Sequence, residues 1–266
     1  MSSAAGDRSA KAGSPAASVR GLAIGWGDVT LIEDITFDVA RGEIFAILGG
    51  SGAGKSTLLR YLTGLERPVR GEIDIAGGGA PELDRGLPPF GVTFQGGALF
   101  GSMTTLENVK LPLEQWTTLG AGSIDVIARS KLRLVGIEPA ADKLPSELSG
   151  GMGKRAAIAR ALALDPEIVF LDEPSAGLDP VTSAELDELI LTLARTTQLT
   201  VVVVSHELAS VYRIADRCLL LDKQIRGVLA IGDPRALRDS ADARIREFFN
   251  PGEKMKEDRW RPAPTT

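Results

Sequence analysis

Apolar and polar residues alternate along Thr30-Leu31-Ile32-Glu33-Asp34-Ile35-Thr36-Phe37-Asp38-Val39, which predicts a strand with one buried face. Gly25-Trp26-Gly27-Asp28 is a turn signal, so residues 19–39 read as two or three β segments. Ile44-Phe45-Ala46-Ile47-Leu48 differs, because five apolar residues without alternation predict a strand covered on both faces. Residues 168–171 and 200–204 repeat that pattern, with shorter strands at 71–75 and 90–94. From Gly96 to about Glu147 strand signals stop and helical spacing takes over, as in residues 124–135. Further helices are predicted over 154–164 and 181–194, the second entered through Asp179 as N-cap and Pro180 as first helical residue. Residues 211–231 read as two closing strands, and a helix or two follows Asp233-Pro234. Strands interleaved with helices predict an α/β core into which a helical subdomain, about residues 96–160, is inserted.

The candidate chemistry lies at the ends of these strands. After the first fully apolar strand comes Gly49-Gly50-Ser51-Gly52-Ala53-Gly54-Lys55-Ser56-Thr57, which fits G-x-x-x-x-G-K-[ST] and leads into a helix-compatible segment. A polyphosphate has to be wrapped by backbone N–H groups, which requires residues free to take positive φ and no side chains in the way. Lys55 brings a point positive charge to the β and γ phosphates, Ser56 offers a hydroxyl to Mg²⁺, and the helix start adds its positive dipole end. Residues 168–171 deliver Asp172 and Glu173 at the strand edge where a doubly wound sheet binds ligands. Asp172 is suited to holding Mg²⁺ through its water shell, and Glu173 to orienting and deprotonating a water. Leu148-Ser149-Gly150-Gly151-Met152 is a second anion-binding device at a helix N-terminus, although alone it is an ordinary cap. His206 follows the strand at 200–204, on the same expected edge as Glu173, where it would touch a γ-phosphate. Trp26 reads either as an aromatic that stacks on a purine or as a half-buried turn residue.

Composition narrows the class. A chain of 266 residues with 44% hydrophobic and 24% charged content describes an ordinary globular protein of one large or two small domains. No run approaches the roughly 18 uncharged apolar residues of a membrane span. Residues 1–18 are rich in Ala, Ser and Gly without an apolar stretch, so they are expected to form a disordered tail rather than a signal peptide, which points to the cytoplasm. Residues 250–266 form a charged, proline-containing tail, in which Trp260 reads as an anchor on a partner subunit or as part of a disordered end. The single cysteine, Cys218, excludes an internal disulfide and is expected to be a buried thiol. A net charge of −5 and a pI near 5.2 argue against a nucleic-acid partner.

Taken together, the loop from Gly49 to Thr57, Gln95, the segment from Leu148 to Met152, the acidic strand end at Asp172-Glu173, Ser175-Ala176-Gly177-Leu178-Asp179 and His206 resemble, in order and spacing, the motif set of ABC-type ATPases. The resemblance covers residues 19–231 closely, with the ATPase domain taken as 19–249. It implies a P-loop fold with a RecA-like core sheet, an N-terminal antiparallel β subdomain and the helical insertion, hydrolysing ATP with Mg²⁺. It also implies that Trp26 stacks on adenine, that Gln95 contacts Mg²⁺ and senses the transport partner, and that His206 is the switch histidine. In this family the Leu-Ser-Gly-Gly segment completes the site of a second copy. Ser149, Gly150, Gly151 and Asp179 would therefore act across a head-to-tail homodimer.

A narrower resemblance rests on Phe94-Gln95-Gly96-Gly97-Ala98-Leu99-Phe100, Glu107-Asn108-Val109 with Pro112-Leu113, Ser149-Gly150-Gly151-Met152, and Gly232-Asp233-Pro234 with Arg244-Ile245-Arg246-Glu247-Phe248-Phe249. These look like the ATPase subunit of Mla/MCE-type phospholipid transporters. That implies an integral-membrane permease, a membrane-anchored MCE-domain protein and a place on the cytoplasmic face of the inner membrane. A transporter for another solute is the competing expectation. A soluble ABC ATPase acting on ribosomes or DNA fits less well, since there is one phosphate loop and no sustained heptad pattern. A small-molecule kinase would leave residues 148–152 and His206 without roles.

Overall fold

The computed structural model describes residues 14–26, 29–82 and 86–251, with the side chain of Trp26 outside that set. Two sheets form. β1 (Ala17–Trp26) lies between β2 (Val29–Val39) and β4 (Arg70–Ile75), antiparallel to both. The larger sheet has the order β5-β6-β7-β3-β8-β9. In it β3 (Ile44–Gly49), β5 (Phe90–Thr93), β6 (Ile168–Asp172), β7 (Thr200–Val204) and β8 (Arg217–Asp222) run parallel, while β9 (Gly227–Gly232) is antiparallel.

β3, β6 and β7 are buried at every position, as their uninterrupted apolar runs require. The two-residue period sorts their side chains. Phe45, Ile47, Phe170, Val202 and Val204 share one cluster with the small sheet and with Leu58, Leu59, Tyr61 and Leu62 of α1 (Lys55–Leu62). On the opposite face Ile44, Val169, Leu171, Val201 and Val203 pack under α2 (Thr105–Trp116), α3 (Ala121–Leu134), α4 (Gly150–Ala161) and α5 (Pro180–Thr197). A third cluster joins Ala46, Leu48, Cys218 and Leu220 to α6 (Leu208–Ile214) and α8 (Ala243–Phe249), with the short α7 (Pro234–Leu237) between them in sequence. Burial there pushes the Cys218 thiol up to about 12, so it is an inert part of the core.

Local devices fix how α1 and α2 enter. The buried Tyr61 hydroxyl donates to Gly25 O at 2.5 Å and accepts from Gly25 N at 3.2 Å, tying α1 to the end of β1. Only glycine fits there, because a Cβ would lie 2.0 Å from Val29 O. α2 opens on a reciprocal capping box, Glu107 N to Thr104 Oγ1 at 3.2 Å and Thr104 N to Glu107 Oε2 at 2.7 Å.

Three expectations change. The N-terminal tail expected to reach residue 18 ends earlier, since Ala16 and Ala17 are buried and Ala16 N donates to Val39 O at 2.8 Å. Residues 1–13 lie outside the described set, as do Trp260 and the chain beyond 251. The helix expected from 154 starts at Gly150, because Ser149 serves as its N-cap, accepting from Met152 N at 3.3 Å. Residues 211–214 are helical rather than strand: Val211 and Ile214, three apart, are both buried on α6, and β8 begins only at Arg217. No helix among the described residues is long and apolar enough to cross a membrane.

Candidate active site

The strand register gathers the site at one rim. Asp172 pairs with Val204, Val204 shares the next register with Ile47, and Gly49 pairs with Leu221, so β6, β7, β3 and β8 end together. From β3 the glycine loop turns into α1. Its glycines divide into two kinds. A Cβ at Gly49 would lie 2.8 Å from Leu221 O and one at Gly54, where φ is +90°, 2.5 Å from Ile32 Cδ1, so these two permit close packing. A Cβ at Gly50 or Gly52 would meet nothing within 4 Å, leaving an open cradle. Lys55 Nζ donates back to Gly49 O at 2.9 Å and Gly50 O at 3.3 Å, which holds the ammonium over the loop. Ala53 is buried, whereas Ser51 and Ser56 are exposed and Thr57 is half-buried.

The acidic strand end faces this loop. Ser56 Oγ is 3.4 Å from Asp172 Oδ1. Burial and then the neighbouring Glu173 push the Asp172 carboxyl above its ordinary range, against the pull of Ser56, Lys55 and Lys154. Glu173 sits at φ +48°, with its N–H donating to Val204 O at 2.9 Å and its carbonyl accepting from Lys154 Nζ at 3.1 Å. Glu173 Oε1 is 2.7 Å from Nδ1 of His206, whose ring is largely exposed, while Oε2 is buried without a partner. A left-handed backbone costs about 1–3 kcal/mol, and an unpaired buried oxygen a similar amount. Two such costs at one residue mark a place shaped for a ligand rather than for the fold.

Gln95 is exposed, two residues beyond the end of β5. The loop that follows it is pinned by the helical insertion: Arg160 Nη1 and Nη2 donate to Ala98 O at 2.8 Å and Gly97 O at 2.9 Å. Asn108, fully buried on α2, donates through Nδ2 to Phe100 O, Met103 O and Thr104 O at 3.0–3.2 Å and accepts from Phe100 N at 2.8 Å. Sequence reasoning missed the positioning parts of Asn108, Arg160 and Lys154. Asn108 carried a signal, an amide among the apolar positions of a helix.

Ser149 and Gly150 are exposed at the start of α4. A Cβ at Gly151 would lie 2.5 Å from Thr182 Cγ2, so that glycine lets α4 meet α5. Asp179 caps α5, its Oδ1 accepting from Val181 N at 3.0 Å and Thr182 N at 3.1 Å; with the Thr182 hydroxyl, these bonds hold its carboxyl below the usual range. Among the described residues no hydrogen bond links Ser149, Gly150, Gly151 or Asp179 to residues 49–57, Asp172, Glu173 or His206. The structure thus brings the loop, Asp172, Glu173 and His206 together and sets the Ser149 group apart. Trp26 pairs through its backbone with Val29, and its side chain lies outside the described residues.

A parallel sheet whose central strand delivers a lysine-bearing glycine loop beside an acidic strand end is the architecture of a P-loop nucleoside triphosphatase. The family model described as ABC transporter matches residues 32–176. The chain is 41% identical over 230 residues to the intermembrane phospholipid transport system ATP-binding protein MlaF of Escherichia coli K12, covering 84% of each. It is 40% identical over 240 residues to the probable ribonucleotide transport ATP-binding protein mkl of Mycobacterium leprae, covering 88% of this chain and 69% of that one. Among solved structures, the dimeric ATP-binding cassette MJ0796 bound to ADP and Pi superposes with a TM-score of 0.71 at 29% identity, covering 82% of this chain and 98% of that one. The cbiO1 subunit from Clostridium perfringens, part of an ABC transporter complex, superposes with a TM-score of 0.75 at 27% identity, covering 92% and 98%. The chain belongs to the ABC transporter family, as an ATP-hydrolysing subunit.

Proposed function

We propose that the chain is the motor of a phospholipid transporter of the Mla type, working as a homodimer beneath an integral-membrane permease. The observation that carries the hydrolytic part is Glu173: its Oε2 is buried without a partner, on the residue next to the Asp172 that Ser56 Oγ approaches to 3.4 Å. ATP lies along Gly49 to Thr57 with Lys55 on its β and γ phosphates. Glu173 orients and deprotonates the attacking water, and His206 holds Glu173 Oε1 and reaches the γ-phosphate. Trp26 stacks on adenine.

The residues present suit Mg²⁺. Among the described residues there is no cluster of three or more His, Cys, Asp or Glu side chains that could cage a metal ion. Mg²⁺ needs none, since it keeps its waters and takes one or two carboxylates with substrate phosphates. Ser56, Asp172 and Gln95 would hold it, and its charge would offset that of the phosphates. Ser149, Gly150, Gly151 and Asp179 complete the site of a second copy, consistent with the exposure of Ser149, Gly150 and Asp179 at helix starts away from their own loop. Closure of the dimer is then worth only as much as ATP binds the closed state better than the open one.

An apolar groove of about 480 Å³, lined by Phe94, Ala98, Phe100, Leu111, Pro112 and Trp116, borders the Gln95 loop and suits a permease helix. Phospholipid as cargo is supported by the likeness to the intermembrane phospholipid transport proteins MlaF; the same reading includes a membrane-anchored MCE-domain partner and a place on the cytoplasmic face of the inner membrane, as the resemblance of residues 94–100 and 244–249 implies. The likeness to mkl, a probable ribonucleotide transport ATP-binding protein, supports a second reading, a transporter of another solute such as a ribonucleotide. The test is to recover tagged Glu173→Gln from detergent-solubilised membranes. A multi-span permease with an MCE-domain protein and bound phospholipid supports the lipid reading; another permease discards the lipid and keeps the motor; recovery with ribosomes or DNA overturns the transporter.

A further inference from the structure

The C-terminal helices carry a set of arginines that the nucleotide chemistry leaves unused. Elsewhere in this region guanidinium groups meet carboxylates: Arg213 pairs with Asp187, and Arg244 with Asp242 at 3.1 Å. Arg235, Arg238 and Arg246 are different. Arg235 donates to the main-chain oxygens of Ala215 and Tyr212, Arg238 Nε to Asn250 Oδ1 at 3.0 Å, and Arg246 Nη1 to Ser240 O at 3.0 Å. Carbonyl and amide oxygens fix these forks without neutralising them. Among the described residues their nearest carboxylate contact is a loose one, Arg235 Nη1 to Asp233 Oδ1 at 3.7 Å.

All three line one concavity of about 560 Å³ with Tyr212, Asp239 and Asn250. Its walls are braced from behind, as Asn250 Nδ2 donates to Arg238 O at 2.9 Å and the Tyr212 hydroxyl to Phe249 O at 3.1 Å. Three guanidinium groups against one lining carboxylate give local positive charge in a chain of net charge −5. Side chains already held in place lose little further freedom on binding, which is the usual cost of using long cationic residues. Neither Nη of Arg238 makes a hydrogen bond among the described residues, so a complete fork is available.

We propose that this concavity is a binding site for a phosphate monoester, separate from the nucleotide loop. A single carboxylate satisfies one fork, whereas a phosphate presents three oxygens to several guanidinium groups at once. The volume also leaves room for an organic portion. The phosphate could belong to a soluble metabolite or to a lipid headgroup, and the same chemistry recognises either.

The test uses the full chain carrying Lys55→Ala, so that the nucleotide loop contributes little and equally to every comparison. Calorimetric titration with glycerol 3-phosphate is set beside flotation with phosphatidylcholine vesicles, with and without phosphatidic acid. The expected result is saturable binding, weakened about tenfold or more by Arg238→Gln with Arg246→Gln. Arg238→Gln keeps a donor for Asn250, and an unchanged melting temperature shows that the fold survives. Binding of glycerol 3-phosphate alone assigns a soluble ligand; flotation that requires phosphatidic acid and the two arginines assigns a headgroup. Absence of saturable binding in both arms, or binding that the substitutions leave unchanged, overturns the site.

Discussion

Lys154 Nζ, on the helix that Ser149 opens, donates to the main-chain oxygen of Glu173 at 3.1 Å. The two residues are 19 apart in sequence and belong to different elements, α4 and the end of β6. Lys154 is half-buried, and desolvation pulls its ammonium below the ordinary lysine range against the attraction of Asp172, Glu173 and Glu207. This bond ties the helix that Ser149 opens to the main chain of the residue that carries the rim carboxylate. It also fixes the carbonyl of a residue whose backbone is left-handed.

Lys154→Met is therefore expected to lower kcat for ATP about tenfold, the equivalent of roughly 1.4 kcal/mol, with little change in KM. Lys154→Arg, which retains a cation of similar reach, should recover part of the rate. Steady-state kinetics and melting temperatures of the two variants decide it: a loss of kcat that tracks a lowered melting temperature and that Lys154→Arg does not reverse would point to a general packing defect instead.

Glu173→Gln keeps the shape of the side chain and removes its basicity. ATP hydrolysis should fall by about 10²–10⁴-fold while ATP still binds, and the dimer should persist on size exclusion in the presence of MgATP. Hydrolysis at the parental rate would remove Glu173 from the role of base. Lys55→Ala should instead abolish ATP binding, because among the described residues no other cation is held over the loop by Gly49 O and Gly50 O.

Much of this site was legible in the chain itself. The glycine loop, Asp172-Glu173 and His206 announce themselves because phosphate and water chemistry demand those residue types, and the apolar runs before them place them on strand ends. The braces were not legible. Arg160 reaches Ala98 and Gly97 from 62 and 63 positions away, and only the packing of α4 against β5 makes that contact possible. Residues 211–214 depart from the expected strand for a related reason: a short apolar run has the same appearance in a strand and in a buried helix until its partners are known.

Asn108→Ala tests one of those braces. It removes four hydrogen bonds from a fully buried amide and leaves Met103 O and Phe100 N short of a partner, whereas Phe100 O and Thr104 O keep the main-chain donors Met103 N and Asn108 N. A loss of about 2–4 kcal/mol in unfolding free energy is expected, since each buried group left unpaired costs on the order of 1–3 kcal/mol and water offsets part of it. Denaturant titration measures the loss. ATPase stimulation by the permease should fall further than basal activity, because the same bonds shape the loop after Gln95.

Asp172→Asn should separate stability from function. Burial and the adjacent Glu173 raise the folded pKa of this carboxyl above its unfolded value. Between those two values the native state holds the extra proton, so stability declines as pH rises through that window and the full loss is present above the folded value. Asparagine has the same shape, can still meet Ser56, and carries no charge to desolvate. At pH 7 and without nucleotide the variant is thus expected to melt a few degrees above the parent, while losing the added stability that MgATP gives the parent and most of its hydrolysis. Scanning calorimetry of both proteins with and without MgATP separates the terms. A variant that melts lower without ligand would mean that Lys55, Lys154 and the Ser56 hydroxyl outweigh burial, and that the carboxylate at this strand end supports the fold as well as the chemistry.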